Sequence, residues 1–166
     1  MFFEIDVSGE DILNENYTVV VAEPGKNTLM LGYKFDEKTL RILTARWGQG
    51  KYTYAKSPKG KADMRVRLYC IVIYYIFKRL KDKIESSNIK LRLCKDFSGR
   101  ESNIKESLKY LLSSLKYSVA SMDFAKLSKH SLADKYAYLL RKDTENKFKG
   151  LLIHIEIDEF EKFLKY

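Results

Sequence analysis

Apolar and polar residues alternate with a period of two in FFEIDVS (2–8), the pattern of a half-buried strand rich in aromatic and β-branched types. GEDILNEN (9–16) is a polar turn. YTVVVAE (17–23) is a second strand, closed by the breaker Pro24-Gly25-Lys26-Asn27. TLMLGYKF (28–35) reads as a third strand. After a DEKT turn, LRILTARW (40–47) reads as a fourth. GQGKYTYAKSPKGKAD (48–63) is a basic loop with glycines. From Met64 to Glu85 the period lengthens: Leu68, Ile71, Val72, Tyr75, Ile76 and Leu80 keep helical spacing. Ile73 and Phe77 add apolar surface on another side, so this long helix is expected to be buried on more than one face.

The second half alternates between the two periods. IKLRLCKD (89–96) is a strand ending in an acid, and Ser98-Gly99 turns the chain. ESNIKESLKYLLSSLK (101–116) is an amphipathic helix with Ile104, Leu108, Leu111, Leu112 and Leu115 on one face. YSVASMDF (117–124) is a short strand. SLADKYAYLLRKD (131–143) is a helix with Ser131 as its N-cap. GLLIHIEI (150–157) reads as a last strand, and DEFEKFLKY (158–166) as a terminal helical turn or two. Early strands on short turns pair antiparallel, whereas later strands separated by helices pair parallel through right-handed crossovers. The expected fold is α/β: a mixed sheet flanked by helices. A length of 166 residues suits one domain over 1–166, with 150–166 a strand-plus-helix extension.

Charge sharpens this picture. The net charge is +9, but residues 1–50 carry −3, residues 51–100 carry +10 and residues 101–166 carry +2. So local an excess predicts a polyanionic partner, foremost RNA, DNA or their hybrid. Lys51, Lys56, Lys59 and Lys61, interleaved with Tyr52 and Tyr54 and extended by Arg65 and Arg67, have the composition of a surface that tracks phosphates and stacks on bases. The longest apolar run, LYCIVIYYIF (68–77), is short of the ~20 residues a bilayer needs. The start of the chain turns acidic at once, and Cys70 and Cys94 lie in apolar runs without metal-ligand spacing. Both are expected to be reduced core residues of a cytoplasmic protein.

Three aspartates stand in unusual places. Asp6 lies inside the first strand, between Ile5 and Val7, where a carboxylate is costly unless paired or metal-bound. Asp96 closes the strand before the amphipathic helix, and Asp134 lies in the first turn of a later helix. In a mixed sheet these positions can converge at one edge. Clustered carboxylates repel, Mg²⁺ or Mn²⁺ relieves the repulsion, and metals ~4 Å apart can act on a phosphodiester.

At these residues the chain resembles the ribonuclease H-like superfamily. The stretches EIDVSG, LRLCKDFSG and HSLADKYA occur in the order of the acid-bearing segments of type 1 ribonucleases H, whose late helix carries an Ala-Asp-x-x-Ala pattern, here Ala133-Asp134-Lys135-Tyr136-Ala137. Another branch of that superfamily begins with a D-E-S-G strand. This chain has Asp6-Val7-Ser8-Gly9 and departs from it at Val7. The resemblance implies a ribonuclease H-like sheet and a nuclease or related phosphoryl-transfer enzyme, with Asp6, Asp96 and Asp134 as metal ligands. It also implies a fourth acid early in the first long helix. Asp63 stands there, with Glu10 and Glu101 as substitutes. The alternative is a non-catalytic module of the same fold that binds nucleic acid or a protein partner. His130 is a candidate auxiliary base, whereas His154, alternating into an apolar strand, reads as structural. No P-loop, zinc-ligand spacing or G-x-S-x-G elbow is present.

Overall fold

A computed structural model describes residues 1–25 and 29–165. Lys26 and Asn27 of the expected turn, the start of the third expected strand at Thr28, and Tyr166 lie outside the described residues. Five strands, β1 (Phe2–Ser8), β2 (Thr18–Ala22), β3 (Met30–Lys34), β4 (Asn88–Leu93) and β5 (Ser118–Phe124), form one mixed sheet in the order β3-β2-β1-β4-β5. The first three pair antiparallel, while β4 pairs parallel to β1 and β5 parallel to β4. This is the α/β architecture expected from the change of period.

The described residues also form five helices: α1 (Glu37–Gly48), α2 (Pro58–Leu80), α3 (Glu101–Ser113), α4 (Leu132–Lys142) and α5 (Ile157–Leu164). The pleat sorts them into two layers. Phe3, Ile5, Val19, Val21 and Tyr33 point to one face and join the large core built with α2, α3 and α5. Val20 and Ala22 point the other way and meet Ala133, Ala137 and Leu140 of α4. α2 sits deepest. From Leu68 to Phe77 every residue is buried, which explains the apolar positions on more than one side. Its start is six residues earlier than the periodicity implies, because Ser57 caps the backbone N–H of Gly60 and Pro58 occupies the first turn. Among the described residues no helix is long and apolar enough to cross a membrane.

Two expected strands are not strands. Residues 40–47 lie in α1. Asp36 caps it by accepting from the Thr39 backbone N–H at 2.7 Å, and Leu40 and Leu43 are buried one turn apart. The extension over 150–157 is a 3-10 turn (Lys149–Leu151) followed by extended chain. It meets the sheet at a single bridge between Leu152 and Gly32 on the β3 edge. His154 there is exposed and pairs with Glu156, so its expected structural role in an apolar strand does not hold.

α4 approaches the sheet closely because β3 contributes a glycine. A Cβ on Gly32 would lie 2.9 Å from Leu140 Cδ1 and 3.1 Å from both the Val19 carbonyl oxygen and Val20 Cγ2. Gly32→Ala is expected to lower stability by about 1–2 kcal/mol through overpacking, read as a reduced denaturation midpoint with an unchanged m-value.

Candidate functional site

Asp6 faces α4 because of its register. It pairs across the ladder with Val20, whose side chain is packed under α4, and cross-strand partners share a face. Only 7% of Asp6 is exposed. The Val7 backbone N–H donates to Asp6 Oδ1 at 2.8 Å. β4 runs parallel to β1 with Leu93 opposite Ile5, and the Cys94 N–H donates to the Ile5 carbonyl. The C-terminal ends of both strands therefore lie side by side, and Asp96 emerges beside Asp6. Ser131 caps α4 by accepting from the Asp134 N–H, which sets Asp134 in the first turn over the same edge.

Asp6, Asp96 and Asp134 line one open cleft of about 400 Å³, together with Val7, Cys94, Lys95, Lys126 and Leu127. Burial pushes the Asp6 carboxyl up to about 6, against the pull of the Val7 N–H, and the neighbouring Asp134 carboxyl adds to the rise. The Cys94 thiol is pushed up to about 12, by burial first and by the charge of Asp6 next, so it stays protonated. Asp96 is engaged separately: the Tyr17 hydroxyl donates to its Oδ2 at 2.5 Å. Among the described residues none of the three aspartates forms an ion pair, and no three Asp, Glu, His or Cys side chains are grouped to hold a metal ion. The arrangement is a carboxylate pair, Asp6 and Asp134, with a third acid held to one side.

No protein-family model, curated protein or solved structure matches this chain.

The other expected site residues divide sharply. Asp63 lies away from the acid cleft. It is ion-paired with Arg100 and lines a separate hollow of about 260 Å³ between α2 and α3, with Tyr54 and Arg67. Asp63 stands near the start of α2, as expected, but is not among the residues that line the acid cleft. Neither Glu10 nor Glu101 lines the acid cleft. His130 is exposed in the turn before α4 and does not line the cleft either.

Within the basic stretch, Tyr52 is 6% exposed and belongs to the core, so it is no stacking platform. Tyr54 is half-buried against that core. Arg65 is committed to Asp11 by two hydrogen bonds of 3.0 and 2.9 Å. Arg67 donates to the Phe163 carbonyl and to Ser107 Oγ. Lys51, Lys56 and Lys59 are exposed, and Lys61 lies 5.8 Å from the Trp47 ring. The free part of the basic surface is thus its lysines, whereas its arginines hold structure.

Sequence reasoning missed Tyr17, Lys95 and Lys126. Lys95 had a local signal, since it adjoins Asp96. The Tyr17–Asp96 bond spans 79 residues and left no trace in any local pattern.

Proposed function

We propose that the chain is a divalent-metal-dependent nuclease, or a related phosphoryl-transfer enzyme acting on nucleic acid, of ribonuclease H-like type. One observation carries the reading: acids from β1, from the turn after β4 and from the start of α4 line one cleft. Those are the positions the family resemblance assigns to metal ligands.

The donor set fits Mg²⁺ or Mn²⁺. Both ions take hard oxygen ligands, and Mg²⁺ is commonly held by one or two carboxylates, with water and substrate phosphate completing its shell. Asp6 and Asp134 would hold the ion, and Asp96 supplies a third carboxylate at the rim. Burying one carboxylate beside another, with no cation paired to either, is an unfavourable arrangement that a bound divalent cation relieves. When bound, such an ion supplies a Lewis acid for phosphoryl oxygens and a more acidic water. Lys95 and Lys126, exposed at the cleft, attract the phosphate backbone. The exposed Lys51, Lys56 and Lys59 extend this contact for a longer strand.

The test combines metal and substrate. Thermal melting of the wild type is expected to rise with Mn²⁺, approaching about 2.7 kcal/mol of added stability at one hundred times Kd. Asp6→Asn and Asp134→Asn should each abolish that response. Labelled RNA–DNA hybrid, single strands and duplexes should show Mn²⁺-dependent cleavage of at least one substrate, absent in both variants. Steeply salt-dependent binding without cleavage of any substrate would replace the enzyme by a nucleic-acid-binding module. A melt indifferent to Mn²⁺ and no cleavage would remove the metal-dependent reading altogether.

A further inference from the structure

The Tyr17–Asp96 contact is built rather than incidental. Tyr17 immediately precedes β2, is 1% exposed, and packs its ring against Phe35 with centroids 6.5 Å apart. Its other side meets the Ser8-Gly9 turn. A Cβ on Gly9 would stand 2.9 Å from Tyr17 Cδ2 and 3.3 Å from its Cα, and Gly9 has φ of 127°, in the region that favours glycine. The glycine of the Asp-x-Ser-Gly stretch therefore makes room for the ring, and the ring delivers a hydroxyl to Asp96 Oδ2 at 2.5 Å. Burial, followed by the charge of Asp96, pushes the phenol far above its ordinary range, so it remains a donor. Ser8 braces the other wall of the cleft: Arg141 Nε, on α4, donates to Ser8 Oγ at 2.6 Å. One turn thus supports both elements that bring acids to Asp6.

We propose that Tyr17 is a positioning residue that latches Asp96 outside the ligand set, leaving Asp6 and Asp134 as the resting pair. The inference rests on the metal reading above and assigns a means of regulating that site. A hydrogen bond to an ionised carboxylate is among the stronger ones. It takes one acceptor site of Oδ2 that an ion could otherwise use, and it restrains the direction of the carboxylate. The latch agrees with the lack of any three-acid group among the described residues although three acids line the cleft. Turning Asp96 toward the pair for coordination through Oδ2 then competes with the phenol bond, so the complete site forms most readily when an incoming ion, with substrate phosphate, outweighs that bond.

Tyr17→Phe keeps the ring that fills the space over Gly9 and removes only the donor. Mn²⁺ alone, titrated calorimetrically into the full chain, is the probe. Tyr17→Phe is expected to bind Mn²⁺ about tenfold more tightly than the wild type, the scale of one hydrogen bond to a charged group. The gain should vanish in the double variant Tyr17→Phe/Asp96→Asn compared with Asp96→Asn alone, an epistasis that a merely structural tyrosine would not produce. A second measurement does not depend on Tyr17→Phe folding: Mn²⁺ should give a tyrosine ultraviolet difference spectrum in the wild type, lost in Asp96→Asn. Asp6-dependent Mn²⁺ binding that Tyr17→Phe leaves unchanged or weakens, or the lack of any difference spectrum on such binding, overturns the latch alone. No Mn²⁺ binding in any protein overturns both the latch and the metal reading.

Discussion

Arg46→Ala is expected to destabilise the protein by about 3 kcal/mol and to lower Tm by roughly 6–12 °C. Arg46 lies in the last turn of α1, and its guanidinium pairs with Glu161 of α5. The two partners are unequal. The Arg46 side chain is 37% exposed and can return to water, whereas that of Glu161 is 8% exposed. Its Oε2 has no hydrogen bond, and its remaining cation, Lys165, is 3.6 Å away at the surface. Removing the arginine leaves a buried carboxylate with only the longer Lys165 contact to offset its charge. Replacing Glu161 by Gln leaves an arginine that solvent can satisfy, so Glu161→Gln should cost about 1 kcal/mol. The double variant Arg46→Ala/Glu161→Gln should be more stable than Arg46→Ala alone, since the buried charge is gone. Urea denaturation of the four proteins measures the cycle, and equal losses for the two single variants would show that burial of Glu161 is not what matters. The consequence reaches the basic loop, because the Thr53 N–H and Oγ1 both donate to the Leu164 carbonyl of α5. A loosened α5 frees the segment that presents Lys51 and Lys56.

The parts of the fold written in local periodicity were legible in the sequence. β1, β4, α3 and α4 fall within a few residues of their expected positions, and Ser131 is the N-cap it reads as. α1 was misread because LRILTARW holds Leu, Ile and Trp in an order that also fits a strand. Its helical signals were Asp36 three residues before Thr39 and the one-turn spacing of Leu40 and Leu43. The segment 150–157 was misread for a different reason. Apolar alternation signals burial on one side, and Ile155 is buried, but only Leu152 reaches β3 to form a bridge. Alternation cannot report whether a partner strand is in reach. The same division governs the site. An acid inside an apolar strand, an acid at a strand end and an acid after a helix cap are each local anomalies, and all three line the cleft. Which basic residues are already spent on Asp11, Asp63, Phe163 and Ser107 depends on contacts distant in sequence. So does Tyr17 as donor to Asp96. No local window contains such pairs.

If the proposed metal-dependent reading holds, Asp6→Asn is expected to abolish Mn²⁺-dependent cleavage, and in every case to raise metal-free stability above pH 6. The sign follows from the shift. The folded protein holds the Asp6 carboxyl at about 6, above its ordinary 3.8, chiefly through burial. The folded state thus keeps a proton that the unfolded chain releases between about pH 4 and pH 6. Stability is fully present below the unfolded value and is lost as pH rises through the folded one. A shift of about two units corresponds to ~3 kcal/mol at most, and screening through the open mouth of the cleft reduces the expected loss to about 1–2 kcal/mol. Asparagine keeps the shape and the acceptor for the Val7 N–H without the charge, so the variant's stability should lack this decline between pH 4 and pH 7. At pH 7.5 in chelator it should exceed the wild type by the same 1–2 kcal/mol. Added Mn²⁺ should then reverse the order, because the cation neutralises the charge in the wild type and finds no carboxylate pair in the variant. A residue whose removal stabilises the apo fold and eliminates the reaction is the signature of a group placed for chemistry rather than for packing. Chemical denaturation across pH 4–8, with chelator and with Mn²⁺, measures both halves. A wild-type profile flat between pH 4 and pH 7 would show that burial does not hold the Asp6 carboxyl above its ordinary range.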